Sequence, residues 1–393
     1  MMFPLTKRKH ALTAVTLASA LTAITLGGCS SFSMFGNEKK ILPLPAVTGS
    51  ATIAATWTGA LGAAQASNLM PAVANGRVYA AHPSGAVLVF DEASGAVVSR
   101  FQVPAGKGLV SGGVAASASL IVVGTNKAEV IALDMNGATL WTAKVSSEVI
   151  NPAAISDEAV IVTGGDGNVT ALDPKTGARK WSIQRTLPSL TVRSSAIPTS
   201  VRGAVFIGTA QGKLLAVDAG TGAIGWEATV ANPKGVSELE RLVDVVGSPA
   251  IDDERICTAA YQGRVACFDL VRGTLLWSRD LSSLTGPLLD SKNVYAIDEK
   301  GVAQAFDKTT GGTVWKRDVL AGRRATGSAL LGDNFAIQDA DGVVHLVDRS
   351  SGRISGRGMS ESFASDVGLV ASGGGSGALV QTRSGQVALI SAR

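Results

Sequence analysis

The chain has 393 residues and a formal charge of +4; 46% of its residues are hydrophobic and 5% are aromatic. This composition excludes intrinsic disorder, which requires low hydrophobicity and high net charge, and the length suits two average domains or one large repeat domain. Without the basic cluster Lys7-Arg8-Lys9, which lies in a segment we expect to be removed, the charge is +1. So small a charge argues against a nucleic-acid partner.

Residues 1–28 have the layout of a secretory signal peptide: the basic cluster, the apolar run ALTAVTLASALTAITL, then small residues. The run is short for a membrane span. It ends in Leu26-Gly27-Gly28-Cys29, which resembles the bacterial lipobox. The resemblance implies that Cys29 becomes the lipidated first residue of the mature protein and carries several acyl chains, including palmitate. Several chains anchor a protein stably to a membrane, whereas a single chain binds only marginally. The alternative is an ordinary signal peptide with a chance cysteine, whose free thiol would be unusual in an oxidising compartment.

The residues after Cys29 predict a tether and a cellular location. By resemblance to other lipoproteins, Ser30 permits transfer to the cell outer membrane, so we expect a lipid-anchored protein that faces the periplasm. Residues 30–48 show no periodicity and contain Pro43 and Pro45, which predicts that 29–49 form a flexible tether ahead of the globular domain.

A repeated joint runs through the rest of the chain. Its frame is small-apolar-Asp, with Gly four and Trp eight residues after the Asp, as in ALDPKTGARKW at 171–181. The Trp slot recurs at 57, 99, 141, 181, 226, 277, 315 and 356, with Ser99 and Gly356 in two of the slots. The other slots hold all six tryptophans of the chain: Trp57, Trp141, Trp181, Trp226, Trp277 and Trp315. We interpret them as structural blade joints, large enough to wedge between neighbouring blades of a β-propeller.

Each repeat contains four strand-like segments separated by turns rich in Asp and Gly, so the eight slots predict eight blades of four antiparallel strands. The N-terminal ATIAATWTG supplies a Trp strand alone, and the C-terminal GQVALISAR stops before one. We therefore predict an all-β, eight-bladed β-propeller over 50–393, closed by a split N-/C-terminal blade that removes the free edges of the ring.

The joint also resembles the repeat of the propeller dehydrogenases that use pyrroloquinoline quinone, which makes a quinoprotein one alternative. Those enzymes share a vicinal cysteine pair, a catalytic Asp and Ca²⁺ ligands. This chain has no adjacent cysteines, and His82 and His345 of the mature part are far apart, in a turn-like and a strand-like context. We predict no enzyme, no catalytic residue, no cofactor and no metal. A generic periplasmic ligand-binding propeller is the other alternative, and it would need an aromatic-lined funnel, although the chain has only three tyrosines.

Two further cysteines, Cys257 and Cys267, flank a predicted hairpin turn around Gln262. A periplasmic protein permits a disulfide between them. Two buried thiols that act as small apolar residues are the alternative. Either role is structural.

The lipobox, the eight repeats and the split blade together resemble the BamB family, lipoprotein subunits of the β-barrel assembly (BAM) complex. Two loops carry the most specific match. QRTLPSLTVRSSAIP at 184–198 resembles a family segment that contacts the POTRA domains of BamA, which implies that Leu190, Val192 and Arg193 bind the partner. SELERLVDVVGSP at 237–249 resembles a second segment, which adds Arg241, Leu242 and Asp244, but Val246 stands where the family often has a second Asp.

The resemblance implies a non-enzymatic scaffold that aids the folding and insertion of outer membrane β-barrel proteins. It could hold the POTRA domains of BamA in a productive arrangement, or offer strand edges to unfolded outer membrane proteins by β-augmentation. The sequence does not decide between these two mechanisms. The alternative to a partner-binding role is that the apolar loop residues pack within their own loops and that Arg193 is solvated.

Overall fold

The computed structural model describes residues 43–62, 69–104, 106, 108–192, 196–359, 361–366, 368–375 and 377–393. The predicted lipidation site Cys29 and the predicted contact residue Arg193 lie outside these ranges. The described residues form thirty-two strands and one short 3₁₀ helix (Glu361–Phe363), arranged as eight four-stranded antiparallel sheets. The predicted all-β, eight-bladed propeller is confirmed.

The first four blades follow one another along the chain. Blade 1 consists of β2 (Ala72–Ala74), β3 (Arg77–Ala81), β4 (Ala86–Asp91) and β5 (Val97–Gln102). Blade 2 consists of β6 (Val110–Ala116), β7 (Ile121–Thr125), β8 (Glu129–Leu133) and β9 (Thr139–Lys144). Blade 3 consists of β10 (Ala154–Ile155), β11 (Val160–Thr163), β12 (Val169–Leu172) and β13 (Arg179–Ile183). Blade 4 consists of β14 (Thr199–Val201), β15 (Ala204–Thr209), β16 (Lys213–Asp218) and β17 (Ile224–Thr229).

The remaining blades continue the order, and the last one combines both ends of the chain. Blade 5 consists of β18 (Val245–Ile251), β19 (Arg255–Ala260), β20 (Arg264–Asp269) and β21 (Leu275–Asp280). Blade 6 consists of β22 (Leu288–Leu289), β23 (Asn293–Ile297), β24 (Val302–Asp307) and β25 (Thr313–Asp318). Blade 7 consists of β26 (Ala325–Leu331), β27 (Asn334–Asp339), β28 (Val344–Asp348) and β29 (Ile354–Gly358). Blade 8 consists of β30 (Leu369–Ala371), β31 (Gly377–Gln381), β32 (Gln386–Ala392) and β1 (Ile53–Ala60).

The hydrophobic core lies between the blades. The second strands are mostly buried, and β7 and β19 are buried along their whole length, because each blade is covered on both faces by its neighbours. The described residues contain eight buried apolar clusters, one for each pair of adjacent blades around the ring. The eighth cluster joins blade 8 to blade 1 through Trp57 and Phe90, so the ring is closed.

Each tryptophan of the repeat lies on the joint turn of the next blade. The indole N–H of Trp141 donates to the carbonyl oxygen of Pro174 at 2.8 Å. Gly177 follows in that turn with φ of +71°, and a Cβ added there would lie 2.6 Å from the Trp141 ring. The glycine is therefore required both for its positive φ and for the close approach of the indole. The other five indole N–H groups donate to the equivalent turns, at the carbonyls of Glu92, Ala219, Leu270, Lys308 and Arg349.

The joint aspartate holds its own turn. The Asp173 carboxylate accepts hydrogen bonds from the backbone N–H groups of Lys175 and Thr176 and from the Thr176 hydroxyl, at 3.0, 2.9 and 2.9 Å. These bonds, that of the Thr176 hydroxyl first, hold the pKa of Asp173 below its usual value. Asp and Gly thus act together as the turn signal that the repeat predicts.

The absence of tryptophan from two of the eight slots has a different physical reason in each blade. In blade 1 the ring of Phe101, two residues after Ser99, takes the place of the indole, because a Cβ on Gly137 of the next blade would lie 2.3 Å from it. In blade 7 the N-terminal segment crosses Gly356, where a Cβ would lie 2.0 Å from the carbonyl oxygen of Ala51. Blade 8 is the split blade: β1 pairs with β32 from Ile53 opposite Ala392 to Ala60 opposite Gln386.

A disulfide joins Cys257 and Cys267. The two residues lie directly opposite each other on β19 and β20, with 4.0 Å between their Cα atoms, and both are fully buried. They pack with Trp277 between blades 5 and 6, so the bond belongs to the core and not to a surface site.

Candidate partner-binding face

Two long connections lie on the same face of the ring. Loop A, residues 184–192 after β13, and loop B, residues 230–244 before β18, cover the turns that join second to third strands. Leu187 of loop A packs on the turn at Gly167 of blade 3, where an added Cβ would lie 2.6 Å from it. Gln262 lies in the equivalent turn of blade 5, beneath loop B. With its side-chain amide nitrogen turned toward loop B, the orientation that satisfies its hydrogen bonds, it donates to the carbonyl of Glu240 at 3.0 Å.

Asp244 connects the two loops to blade 4. Its carboxylate accepts hydrogen bonds from the backbone N–H of Val192 at 2.5 Å and from that of Gln211 at 3.3 Å. The side chain is only 3% exposed, and burial raises the pKa of Asp244 although both bonds act in the opposite direction. We predicted Asp244 as a direct partner contact; the structure places it inside, where it positions loop A.

The other predicted contact residues differ in exposure. Leu190 is 45% exposed in loop A, and Arg241 is exposed on loop B. Val192 and Leu242 are half-buried at the base of the same loops. Val246 is fully buried in β18, so this departure from the family pattern changes the packing beneath the face and not its surface charge. The structure therefore brings Leu190 and Arg241 to the surface on one face.

A cleft of about 520 Å³ lies beneath loop A, between blades 3 and 4. Its apolar wall is formed by Leu187, Leu190, Val192, Ile207 and Val245. Arg185 and Glu227 form an ion pair at its edge, with 2.6 Å between Nη2 and Oε2. An apolar cleft with a polar edge suits the side chain of a protein partner.

Loop B carries two exposed apolar residues that our interpretation of the sequence missed. Val236 is 96% and Leu239 is 64% exposed. Val236 precedes a capping box that contains Leu239. In it the Glu240 carboxylate accepts from the N–H groups of Val236 and Ser237 at 2.9 and 3.0 Å, and Ser237 Oγ accepts from the N–H of Glu240 at 3.3 Å. The pattern Ser-Glu-Leu-Glu at 237–240 is the sequence signal that could have identified this ordered turn.

The two histidines of the described region have structural partners. His345 is fully buried; its Nε2 lies 2.9 Å from Oδ2 of Asp339, and its Nδ1 accepts from Nε of Arg357 at 2.9 Å. Burial lowers the pKa of His345 despite the nearby Asp339. His82 contacts the hydroxyl of Ser84 within its own turn, with 2.7 Å between Nδ1 and Oγ.

The central channel holds a cavity of about 710 Å³ lined by first strands of several blades, among them β18, β22 and β26. Its described lining contains no aromatic side chain. Across the described ranges, no group of three or more His, Cys, Asp or Glu side chains is placed to hold a metal ion. In the same residues, no helix has the length and hydropathy needed to cross a membrane.

Comparisons with known proteins agree with the fold. A family model described as "Outer membrane protein assembly factor BamB" matches residues 83–317, more than half of the chain. A protein of that name from Bordetella pertussis is 36% identical over 335 residues, which cover 85% of this chain and 86% of the relative.

Two solved structures are similar to this chain, one in sequence and fold and the other in fold alone. The crystal structure of BamB from Moraxella catarrhalis has a TM-score of 0.78 and 28% identity, and the match covers 86% of this chain and all of that one. A quinohemoprotein alcohol dehydrogenase from Comamonas testosteroni has a TM-score of 0.62 at 12% identity, covers 86% of this chain and 76% of its own, and shares the propeller fold alone. The chain belongs to the BamB family of outer membrane protein assembly factors.

Proposed function

We propose that this protein is a non-enzymatic scaffold of the BAM complex that binds the POTRA domains of BamA. In this proposal, lipid attached to Cys29 anchors it to the periplasmic side of the outer membrane. Family membership and the name of the relatives, outer membrane protein assembly factor, support the role in outer membrane assembly. The observation that carries the partner site is the pair of ordered loops on one face, joined through Asp244.

The contact chemistry follows from the exposed side chains. Leu190 offers an apolar anchor beside the cleft, and Arg241 offers a charged one. Val192 and Leu242 are half-buried in the same loops, and the bond from Val192 to Asp244 fixes the base of loop A. A few apolar and arginine side chains around a cleft are typical of the residues that dominate a protein interface. By its family motif, Arg193 would add a second cation, although it lies outside the described residues.

A rigid surface suits a scaffold. The ring is closed by eight interblade clusters, and both loops are bonded to turns of the ring. A partner that binds such a preorganised face does not have to order it on binding, which favours affinity. In this role the propeller holds the POTRA domains in one arrangement while a β-barrel protein is inserted.

The experiment is a pull-down of the tagged, full-length lipoprotein from outer membranes in a gentle detergent, with its partners identified by mass spectrometry. We expect BamA with its POTRA domains to co-purify. The double variant Leu190→Glu, Arg241→Glu should lose BamA, because it reverses the chemistry of both exposed anchors. Lys175→Glu, on an exposed joint turn of blade 3 at the other face, is the matched control. Recovery of no POTRA-bearing protein by the unaltered chain would contradict the proposal.

A further inference from the structure

The N-terminal segment 43–52, called the strap below, is docked on the outer strand of blade 7. The N–H of Thr48 donates to the carbonyl of Ile354 at 2.9 Å, and the N–H of Ala51 donates to that of Ser355 at 3.0 Å. Ala51 also forms a parallel β-bridge with Gly356. The strap therefore adds to the free edge of β29 before the chain enters β1, and these residues do not hang free as a tether.

Three glycines make room for this docking. An added Cβ would lie 2.0 Å from Ala51 O at Gly356, 2.2 Å from Ile53 Cγ2 at Gly358 and 2.6 Å from Ser355 O at Gly49. All three clashes join the N-terminal segment to β29. Six blades have a tryptophan at this position of the repeat. Blade 7 has Gly356 there, because the strap occupies the space that a side chain would need.

A buried polar chain holds the far end of the strap. Nη2 of Arg357 donates to the carbonyl oxygen of Pro45 at 2.9 Å, and Nε of the same guanidinium donates to His345 Nδ1 at 2.9 Å. His345 in turn pairs with Asp339, and both side chains are fully buried. The guanidinium is oriented from the core, so the point at which the chain leaves the propeller is fixed near Pro45.

The ring places this exit point across from the blade that loop A leaves. Blade 7 is four blades away from blade 3 in a ring of eight, so the two are diametrically opposed. Loop A leaves blade 3, and loop B connects blade 4 to blade 5. Only residues 30–42 separate Cys29 from the strap, and a chain of that length reaches at most about 45 Å when fully extended.

We infer that the strap orients the propeller, so that the lipid anchor holds blade 7 toward the membrane and loops A and B face away from it. This inference rests on the proposed function for the lipid on Cys29 and for the partner-binding face. It adds a second task for the fold: the ring places loop A across the propeller from the anchored edge.

The orientation is tested with the full-length lipidated protein in vesicles that carry an acceptor dye on their headgroups. A donor dye is attached to Ser350→Cys in blade 7 or to Lys175→Cys, the exposed equivalent position of blade 3. We expect several-fold more energy transfer from position 350. Arg357→Ala should reduce this difference, whereas Arg353→Ala, at an exposed arginine immediately before β29, should keep it.

Hydrogen exchange on the same protein tests the docking itself. The amides of Thr48 and Ala51 should be protected and should exchange at least tenfold faster in Arg357→Ala. Thr48→Pro provides a second variant, since it removes one donor of the strap without altering blade 7. Equal energy transfer from both positions, or unprotected strap amides in the unaltered protein, overturns the inference and leaves the proposed function intact. If the vesicles do not retain the protein, the proposed lipid anchor is wrong and this inference falls with it. If the protein is retained and oriented but does not capture BamA, only the proposed partner is wrong.

Discussion

The carboxylate of Asp244 and the backbone N–H of Val192 are 52 residues apart in sequence and 2.5 Å apart in the structure. The second oxygen of the same carboxylate accepts from Gln211 in blade 4. One buried side chain thereby fixes loop A, the base of loop B and the rim of the ring to one another. The effect of Asp244 on partner binding should therefore pass through the shape of loop A.

Replacing Asp244 by alanine should weaken BamA capture about tenfold or more. Hydrogen bonds to a charged acceptor contribute about 1.5–3 kcal/mol, and 1.4 kcal/mol is a factor of ten. Binding of purified POTRA domains to the immobilised variant measures the loss, and hydrogen exchange at Val192 reports the release of loop A. Asp253→Ala, in an exposed turn of blade 5, is the control. Weaker binding with an unchanged loop A would show that Asp244 acts in some other way.

The repeat was predictable because its signals are local. Asp173, Gly177 and Trp181 occupy fixed offsets, and each offset corresponds to one turn or one strand of a blade. The closure by β1 and β32 was also accessible, because each chain end carries a complementary part of the frame.

The site was less predictable because direction and burial depend on distant residues. The family motif identifies Asp244 but does not reveal that its side chain turns inward to Val192. Pro43 and Pro45 suggested a flexible tether, and only the glycines of β29 and the guanidinium of Arg357 in the folded ring show where that segment docks. These contacts join residues more than 300 positions apart, beyond any periodic pattern.

Val236→Ser combined with Leu239→Ser should weaken BamA capture without lowering the melting temperature. Both side chains are mostly in solvent, so their removal costs the fold little, while an ordered apolar pair is a strong candidate for burial by a partner. Circular dichroism and the pull-down provide the two readouts. Val271→Ser with Leu275→Ser, an apolar pair in blade 5 that is also mostly exposed (82% and 53%), is the matched control. Full capture by the Val236 and Leu239 variant would restrict the interface to loop A and Arg241.

Gly177→Ala should destabilise the propeller more than Gly203→Ala does. Both glycines have similar positive φ, +71° and +79°, so the backbone strain is nearly matched. Only at Gly177 would the new Cβ meet the Trp141 ring, at 2.6 Å, whereas nothing lies within 4 Å at Gly203. Forcing a methyl group into a packed site costs about 1–3 kcal/mol. Urea unfolding of the two variants measures the difference, and equal losses would show that the joint turn moves away without cost.

His345 should make the propeller less stable as the pH falls below neutral. Its pKa is lowered in the folded state, chiefly by burial, with Arg357 and Arg323 acting in the same direction and Asp339 against them. The unfolded chain, whose histidine has a pKa of about 6.5, therefore takes up a proton that the folded chain does not, and the free energy of unfolding decreases with acid by at most about 1.4 kcal/mol per pH unit. Urea unfolding between pH 8 and 5 should show this slope in the unaltered protein and in the control His82→Gln, and a shallower slope in His345→Gln. The same slope in all three proteins would mean that His345 does not control the response to acid.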